Sequence, residues 1–383
     1  MSSTTTTMIV GGGAIGCAIA YHLREAGMPV TVLDQGEIGA EASSAAAGLL
    51  APLGSIAGPG PFADLLLASF ALFPTLVPRL EEASGVRMEY DRTGSLRVVR
   101  NAKHVPNLRK RMHAWQPLGL HMDWLSGDAV RQLEPLLTQE VCAGIFAPEE
   151  SQVRASRVAP AFAQAAASLG AVLTSHCRVT GITHTRKNIT GVTTDRGETL
   201  ACDHLVVATG AWSAQWSEWL HIPLPVSPQR GQILALRQPE QPLRHIIFGE
   251  ATYLAPKQDG TIVVGATKEE AGFEKQLTAG GVAWLLSSAM HLVPALEQCA
   301  IDRMWTGLRP RTPDNQPILG RAPGWENVTL ATGHGSVGIM LSAITGRTIA
   351  ELITTGTPPE LIRPFGVDRP PGRVDDVWRE DFP

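Results

Sequence analysis

Cysteine is scarce and scattered: Cys17, Cys142, Cys177, Cys202 and Cys299 are all that 383 residues contain, with no C-x-x-C pair. That argues against a disulfide framework or a structural zinc site and fits a reducing compartment. Charge of one sign is also lacking. The 32 basic and 36 acidic residues leave a net charge of −4, and the tightest basic run, Arg109-Lys110-Arg111, is one helical turn. A nucleic-acid partner, which needs a clustered basic face, is not expected. No clean apolar run spans a bilayer, because the most lipid-like stretch, residues 63–80, is interrupted by Asp64, Pro74, Pro78 and Arg79. Residues 1–7 carry no positive charge ahead of the first apolar run, so no secretory leader is expected either. G-x-S-x-G, H-E-x-x-H and P-loop lysine patterns are missing, and no metal site is expected. A soluble cytoplasmic protein is the expectation. The hydrophobic content of 44% is ample for a core, and the length suits roughly two domains.

What is present begins at the N-terminus. Met8-Ile9-Val10 is a short apolar run, residues 11–16 are glycine-rich, and residues 14–26 have helical spacing before stopping at Gly27. Val30 to Leu33 is a second buried strand ending at Asp34. This is a βαβ unit, whose handedness is right-handed. Gly11, Gly13 and Gly16 match G-x-G-x-x-G. The first glycine permits a tight turn, the second lets backbone approach a pyrophosphate, and the third lets helix and strand pack closely. Ala14 and Ile15 then open a helix whose N-terminal amides face the phosphates. Asp34, with Gln35 beside it, falls where a carboxylate accepts hydrogen bonds from a ribose and repels a 2′-phosphate.

Further along, residues 62–84 read as helical but broken by prolines. Strands are expected at 96–99 and 144–146, a helix at 103–115, and an alanine-rich helix at 156–169. Strands then dominate from 229 to 264. A helix opened by a Thr278 cap follows, and a last long helix spans 337–353. The βαβ character returns near 156–210 and again at the C-terminal helix. A nucleotide domain assembled from 1–87, 148–225 and 305–365, with a strand-rich domain from 88–147 and 226–304 inserted into it, explains that pattern. Residues 366–383 form a proline-bearing, acidic tail.

Three segments narrow the chemistry. Residues 42–52, Ala-Ser-Ser-Ala-Ala-Ala-Gly-Leu-Leu-Ala-Pro, have almost no side-chain bulk, so backbone can lie beside a flat ring while Ser43 and Ser44 offer hydroxyls. The run 205–213 ends an apolar strand in Ala-Thr-Gly-Ala-Trp-Ser. The third is Trp305-x-Gly-x-Arg309-Pro-x-Thr-Pro-Asp314, followed by Thr332-Gly333-His334-Gly335-Ser336-Val337-Gly338. A glycine-rich turn opening a helix aims free amides at its ligand, and Arg309 offers a planar fork for a carboxylate that lysine would not match. Arg309 could instead neutralise Asp302 or Asp314, and Tyr253 could be a core residue of its strand.

With these motifs the chain resembles the FAD-dependent D-amino-acid oxidase superfamily, most closely the glycine oxidases of thiamine biosynthesis. The resemblance implies an α/β protein with an α+β second domain: a discontinuous Rossmann-like FAD-binding domain and an inserted antiparallel-sheet substrate domain. It implies non-covalent FAD, since no cysteine lies near the Arg309 segment where covalent relatives tether the ring. Cofactor contacts are implied for Gly11, Gly13, Ala14, Ile15, Gly16, Asp34, Gln35, Ser43, Ser44, Ala47, Gly48, Leu49, Val179, Thr209, Gly210, Trp212, Arg309, His334, Gly335, Ser336, Val337, Gly338 and Ile339. Arg309 and Tyr253 are the implied catalytic pair, with Leu49 and Ser336 in the substrate pocket. Ser336 stands where glycine oxidases commonly carry an arginine, a departure that looks more like D-amino-acid dehydrogenases. The implied activity is oxidation of glycine, sarcosine or a short D-amino acid to oxo acid and ammonia, with O2 as acceptor and a homo-oligomer expected. The alternatives are a dehydrogenase feeding a quinone and a flavin subunit of a glycine dehydrogenase complex.

Overall fold

A computed structural model of the chain describes residues 6–370. The leading stretch 1–5 and the tail from 371, both read from the sequence above, lie outside the described residues.

The first βαβ unit forms as its pattern demands: strand Thr7–Val10, helix Ala14–Glu25, strand Val30–Leu33. These two strands lie side by side in a six-stranded sheet. Its order is Ile318–Arg321, Val328–Thr332, His204–Val207, Thr7–Val10, Val30–Leu33, Val172–Thr174. All neighbours are parallel except the outermost pair at 318–332. Such strands must bury both faces, and successive side chains divide between two cores. Ile9 joins a helical layer that includes 14–25, 61–84, 155–168 and 338–355, while Met8 and Val10 face a layer built on the small sheet 179–201 and on Trp216 and Leu220.

Pro74 and Pro78 do not break the helix that carries them. Pro61–Ser84 is one continuous element of 24 residues. The two prolines lie one turn apart on its exposed side, so water can meet the carbonyls that they leave without an N–H partner. By length and composition this helix and Gly335–Thr355 are each apolar enough to cross a membrane. Their buried residues pack into the helical layer of the nucleotide sheet.

The second sheet has eight strands, in the order Ile301–Arg311, Ser227–Arg237, Thr261–Gly265, Tyr253–Pro256, Ile246–Phe248, Ser95–Val99, Ala143–Ala147, Asp123–Ser126. It is antiparallel except where Ile246–Phe248 runs parallel to the strand at 95–97, the seam between its two chain segments. Strand Ile301–Arg311 pairs with Ser227–Arg237 from one end to the other, Ser227 facing Arg311. Residues 305–311 therefore belong to this sheet, whereas the sequence placed them with the nucleotide domain. Packed against the sheet is helix Ala279–Leu292, where the Thr278 hydroxyl accepts from Gly281 N. Thr278→Ala should cost about 1 kcal/mol of stability, read by denaturant unfolding, with bound cofactor unaffected.

One buried ion pair joins the parts. Arg97 donates from Nη1 to Glu150 Oε2 at 2.7 Å and from Nη2 to Oε1 at 3.1 Å, with both side chains almost fully buried. Glu150 also accepts from Leu53 N at 2.9 Å and from the Ser95 hydroxyl. The guanidinium lies between the rings of Trp115 and Phe248. Segments 53, 95–97, 150 and 248 are thereby fixed around one end of the cleft.

Candidate active site

Between the carboxyl ends of the parallel strands and the eight-stranded sheet runs a cleft of about 970 Å³. Ligands bind in this crevice of open α/β sheets. At its first end lies the glycine turn. Gly11 has φ +107°, and a Cβ on it would overlap the Ala208 carbonyl. Gly16 is absent from the cleft wall: it lies beneath the turn, where a Cβ would overlap the Gly11 carbonyl. Asp34 Oδ2 accepts from Gly12 N at 2.6 Å and Oδ1 from Gly36 N at 2.8 Å. Burial pushes its carboxyl up while those two backbone bonds pull it down. Each oxygen keeps a second lone pair for a ribose hydroxyl. Gln35, Val179 and Arg178 complete this end, with Cys177 as its thiol.

The middle of the cleft is lined by the small-residue segment. Ser43 accepts from Ala14 N at 2.9 Å, tying the segment to the helix start. Gly48, at φ +78°, has no room for a Cβ because the Val153 carbonyl fills that space. Ala47, Gly48 and Leu49 stand on the wall. Ser44 does not: its hydroxyl turns back to donate within its own helical turn, to Ala40 O at 2.6 Å or Glu41 O at 3.1 Å. Both serines read alike in the string because the single helical turn Ala42–Ala45, which points them in different directions, is not visible there. Opposite lie Thr209, Gly210 and Trp212, together with His334, Gly335, Ser336, Val337, Gly338 and Ile339 at the start of the last helix. Burial holds His334 down to about 3, so it is a neutral imidazole, Nε2 bonded to the Thr345 hydroxyl at 3.2 Å. It is no general base at neutral pH.

At the far end two side chains lie down on the sheet towards each other. Arg309 stands on strand 301–311 and Tyr253 on strand 253–256, with strands 227–237 and 261–265 between them. Each reaches inward over a glycine. A Cβ on Gly231 would come within 2.5 Å of Arg309 Nη2, and a Cβ on Gly265 would overlap the Tyr253 hydroxyl. Both side chains line the cleft. Arg309 Nη1 donates to Thr267 O at 3.0 Å. The carboxylates that could have claimed it are taken: Asp302 pairs with Arg237, and Asp314 with Arg369 at 2.8 Å. Among the described residues no carboxylate bonds Arg309. Burial lowers its pKa, and Tyr253 and Glu269 oppose that. Burial pushes the Tyr253 phenol up to about 12, against the pull of Arg309, so it remains a donor.

Beyond the pair, the wall includes residues no motif announced. Arg100 pairs with Glu140 at 3.0 Å, and His104 Nδ1 lies 3.0 Å from Glu250. Trp284, Ser288 and His291 fall at i, i+4 and i+7 on helix 279–292. A helical wheel of that segment would have shown this stripe.

The cleft suits a dinucleotide bearing a flat ring: a glycine turn with no room for side chains, a carboxylate beside it, a wall of alanines, and, at the far end, a guanidinium that no carboxylate among the described residues bonds. A family profile described as FAD dependent oxidoreductase matches residues 6–352. Glycine oxidase of Geobacillus kaustophilus is 34% identical over 369 residues, 96% of this chain and 97% of that one. The bifunctional protein ThiO/ThiG of Synechocystis is 37% identical over 376 residues, 96% of this chain but 54% of its own length. The chain thus spans about half of that relative. The crystal structure of glycine oxidase from Geobacillus kaustophilus superposes with a TM-score of 0.92 at 32% identity, covering 96% of this chain and 100% of that one.

Proposed function

The chain belongs to the FAD dependent oxidoreductase family, and from that premise we propose that it oxidatively deaminates glycine or another small amino acid to the oxo acid, ammonia and hydrogen peroxide. The observation that carries this reading is the half-buried Arg309 guanidinium, which no carboxylate among the described residues bonds and which lines the cleft together with a protonated Tyr253. A planar fork in a water-poor cleft is matched to a carboxylate held through two parallel bonds.

Gly11, Gly13, Asp34, the alanine segment and the turn at 334–339 would hold FAD non-covalently, and the one cleft cysteine, Cys177, lies at the Asp34 end. The chemistry supplied by bound FAD is acceptance of a hydride from the substrate α-carbon and return of both electrons to oxygen as peroxide. The chain contributes placement. Arg309 grips the carboxylate, Tyr253 donates to it, and Leu49 with Phe248 limits the side chain that fits. With Ser336 in place of a second cation there, the carboxylate is met by Arg309 and the Tyr253 hydroxyl. His334 takes no proton at neutral pH, so the substrate reacts as the free amine and the imine product hydrolyses in water.

The test is spectroscopic. Purified protein should be yellow, acid should release its flavin, and anaerobic glycine, sarcosine or D-alanine should bleach the visible band. Air should then restore the colour with one peroxide per substrate oxidised. Bleaching without peroxide would point to a quinone or protein acceptor. A flavin that none of the three amines bleaches would overturn the substrate class.

A further inference from the structure

Behind the ring end of the cleft sits a buried ammonium that the motifs do not include. Lys257, on the turn after strand Tyr253–Pro256, is buried, and its Nζ reaches three acceptors. These are Ala47 O at 2.7 Å, Gln152 Oε1 at 2.8 Å and Val153 O at 3.2 Å. Three N–H donors meet three oxygen acceptors, so the protonated amine satisfies every one and a neutral amine would leave one unmet. Among the described residues no carboxylate bonds Nζ, and Glu89 and Asp259 are held by Arg154 at 2.6 and 2.9 Å. The charge is therefore buried without a counter-ion in contact, an arrangement that costs stability unless something else uses it.

Its position says what could use it. Ala47 stands on the cleft wall, and it packs with Ile233, Ala255 and Val263 beside Leu49, Tyr253 and Trp305. That places Ala47 at the Arg309–Tyr253 end rather than at the pyrophosphate end. The ammonium lies one peptide behind this wall. A ring that gains negative charge on reduction would sit across that peptide from a fixed positive charge, in a medium where such interactions are weakly screened. We propose that Lys257 is a positioning residue that clamps the Ala47–Gly48 backbone against the flavin and, through its charge, raises the flavin's reduction potential. The inference rests on the reading of the cleft as the FAD site. Burial draws the Lys257 pKa down to about 7, with Arg154 adding to the shift and Glu89, Asp259 and Asp91 opposing it. Negative charge arriving in the cleft draws the proton back.

Two substitutions separate charge from clamp. Lys257→Gln keeps an amide donor but loses the charge. Gln152→Glu keeps the lysine and sets a carboxylate against it, and so neutralises it without emptying the site, at the loss of the Gln152 Nε2 bond to Pro256 O at 2.7 Å. Each protein is loaded with FAD, its midpoint potential is measured anaerobically, and its sulfite affinity is titrated, sulfite being an anion that adds to electron-poor flavins. Both variants should weaken sulfite binding at least tenfold and lower the potential, by about 30 mV per tenfold for a two-electron couple. Lys257→Arg should stay near wild type. Should Lys257→Gln fail to fold, Gln152→Glu decides alone. Variants that keep wild-type potential and sulfite affinity overturn the charge role, even if they hold FAD less tightly. Wild-type protein unable to bind FAD would instead sink the reading of the cleft.

Discussion

Arg309→Met should retain FAD and lose about a hundred- to ten-thousandfold in kcat/KM for its amino-acid substrate. Two charge-assisted hydrogen bonds are removed, each worth about 1.5–3 kcal/mol, and roughly 1.4 kcal/mol is a decade. The Tyr253 bond survives and keeps the loss from growing larger. FAD should still bind, because the cradle at Gly11 and Asp34 lies at the other end of the cleft. Nor should the fold suffer greatly: the guanidinium rests on Gly231 and gives up one bond to Thr267 O. Arg309→Lys should recover little, since a point charge lacks the planar fork. Steady-state kinetics at known flavin content measure the effect. Kinetics within a few fold of wild type would remove Arg309 from the site.

The parts of this site that were legible in the sequence are those whose geometry is local. The turn at 11–16 and the helix after it follow from a glycine spacing within six residues, and Asp34 from its place at the end of the next strand of the same βαβ unit, so the string carries them. The Thr278 cap is local in the same way. What escaped depends on distant contacts. Pro74 and Pro78 read as breakers until the fold shows that both face solvent. Residues 305–311 read as part of the cofactor domain because their motif accompanies it, yet seven pairings with 227–233 put them in the other sheet. Gly231 lay inside the strand-rich stretch expected at 229–264, but its purpose, a flat place for a guanidinium from the next strand, exists only once the strands pair. Lys257 was invisible for the same reason: its three acceptors come from residues 47, 152 and 153. A lysine beside a turn is ordinarily a surface residue, and only the closing of three segments over it makes it otherwise.

Gly16→Val should abolish FAD binding and strongly destabilise the nucleotide domain, whereas Gly27→Ala in the same βαβ unit should do neither. The contrast separates two uses of glycine. Gly27 has φ +77° with nothing within 4 Å of its virtual Cβ, so alanine there meets only the left-handed backbone penalty of about 1–2 kcal/mol. Gly16 is helical and could accept any side chain by dihedral, but its Cβ would enter the Gly11 carbonyl and press on Ile9 Cγ2 at 3.3 Å. Both ends of that clash are backbone or core, so no side chain can swing aside. Relief requires lifting helix 14–25 off the strand 7–10. That movement opens the turn whose Gly12 N–H bonds Asp34 and whose carbonyls hold Gly39 and Cys17. Overpacking alone typically costs about 1–3 kcal/mol, and a backbone shift at the centre of the sheet adds to it. Flavin content and thermal unfolding of the two variants, measured side by side, test the claim. A yellow Gly16→Val protein of wild-type stability would mean that the helix start tolerates displacement and that the cradle does not depend on it.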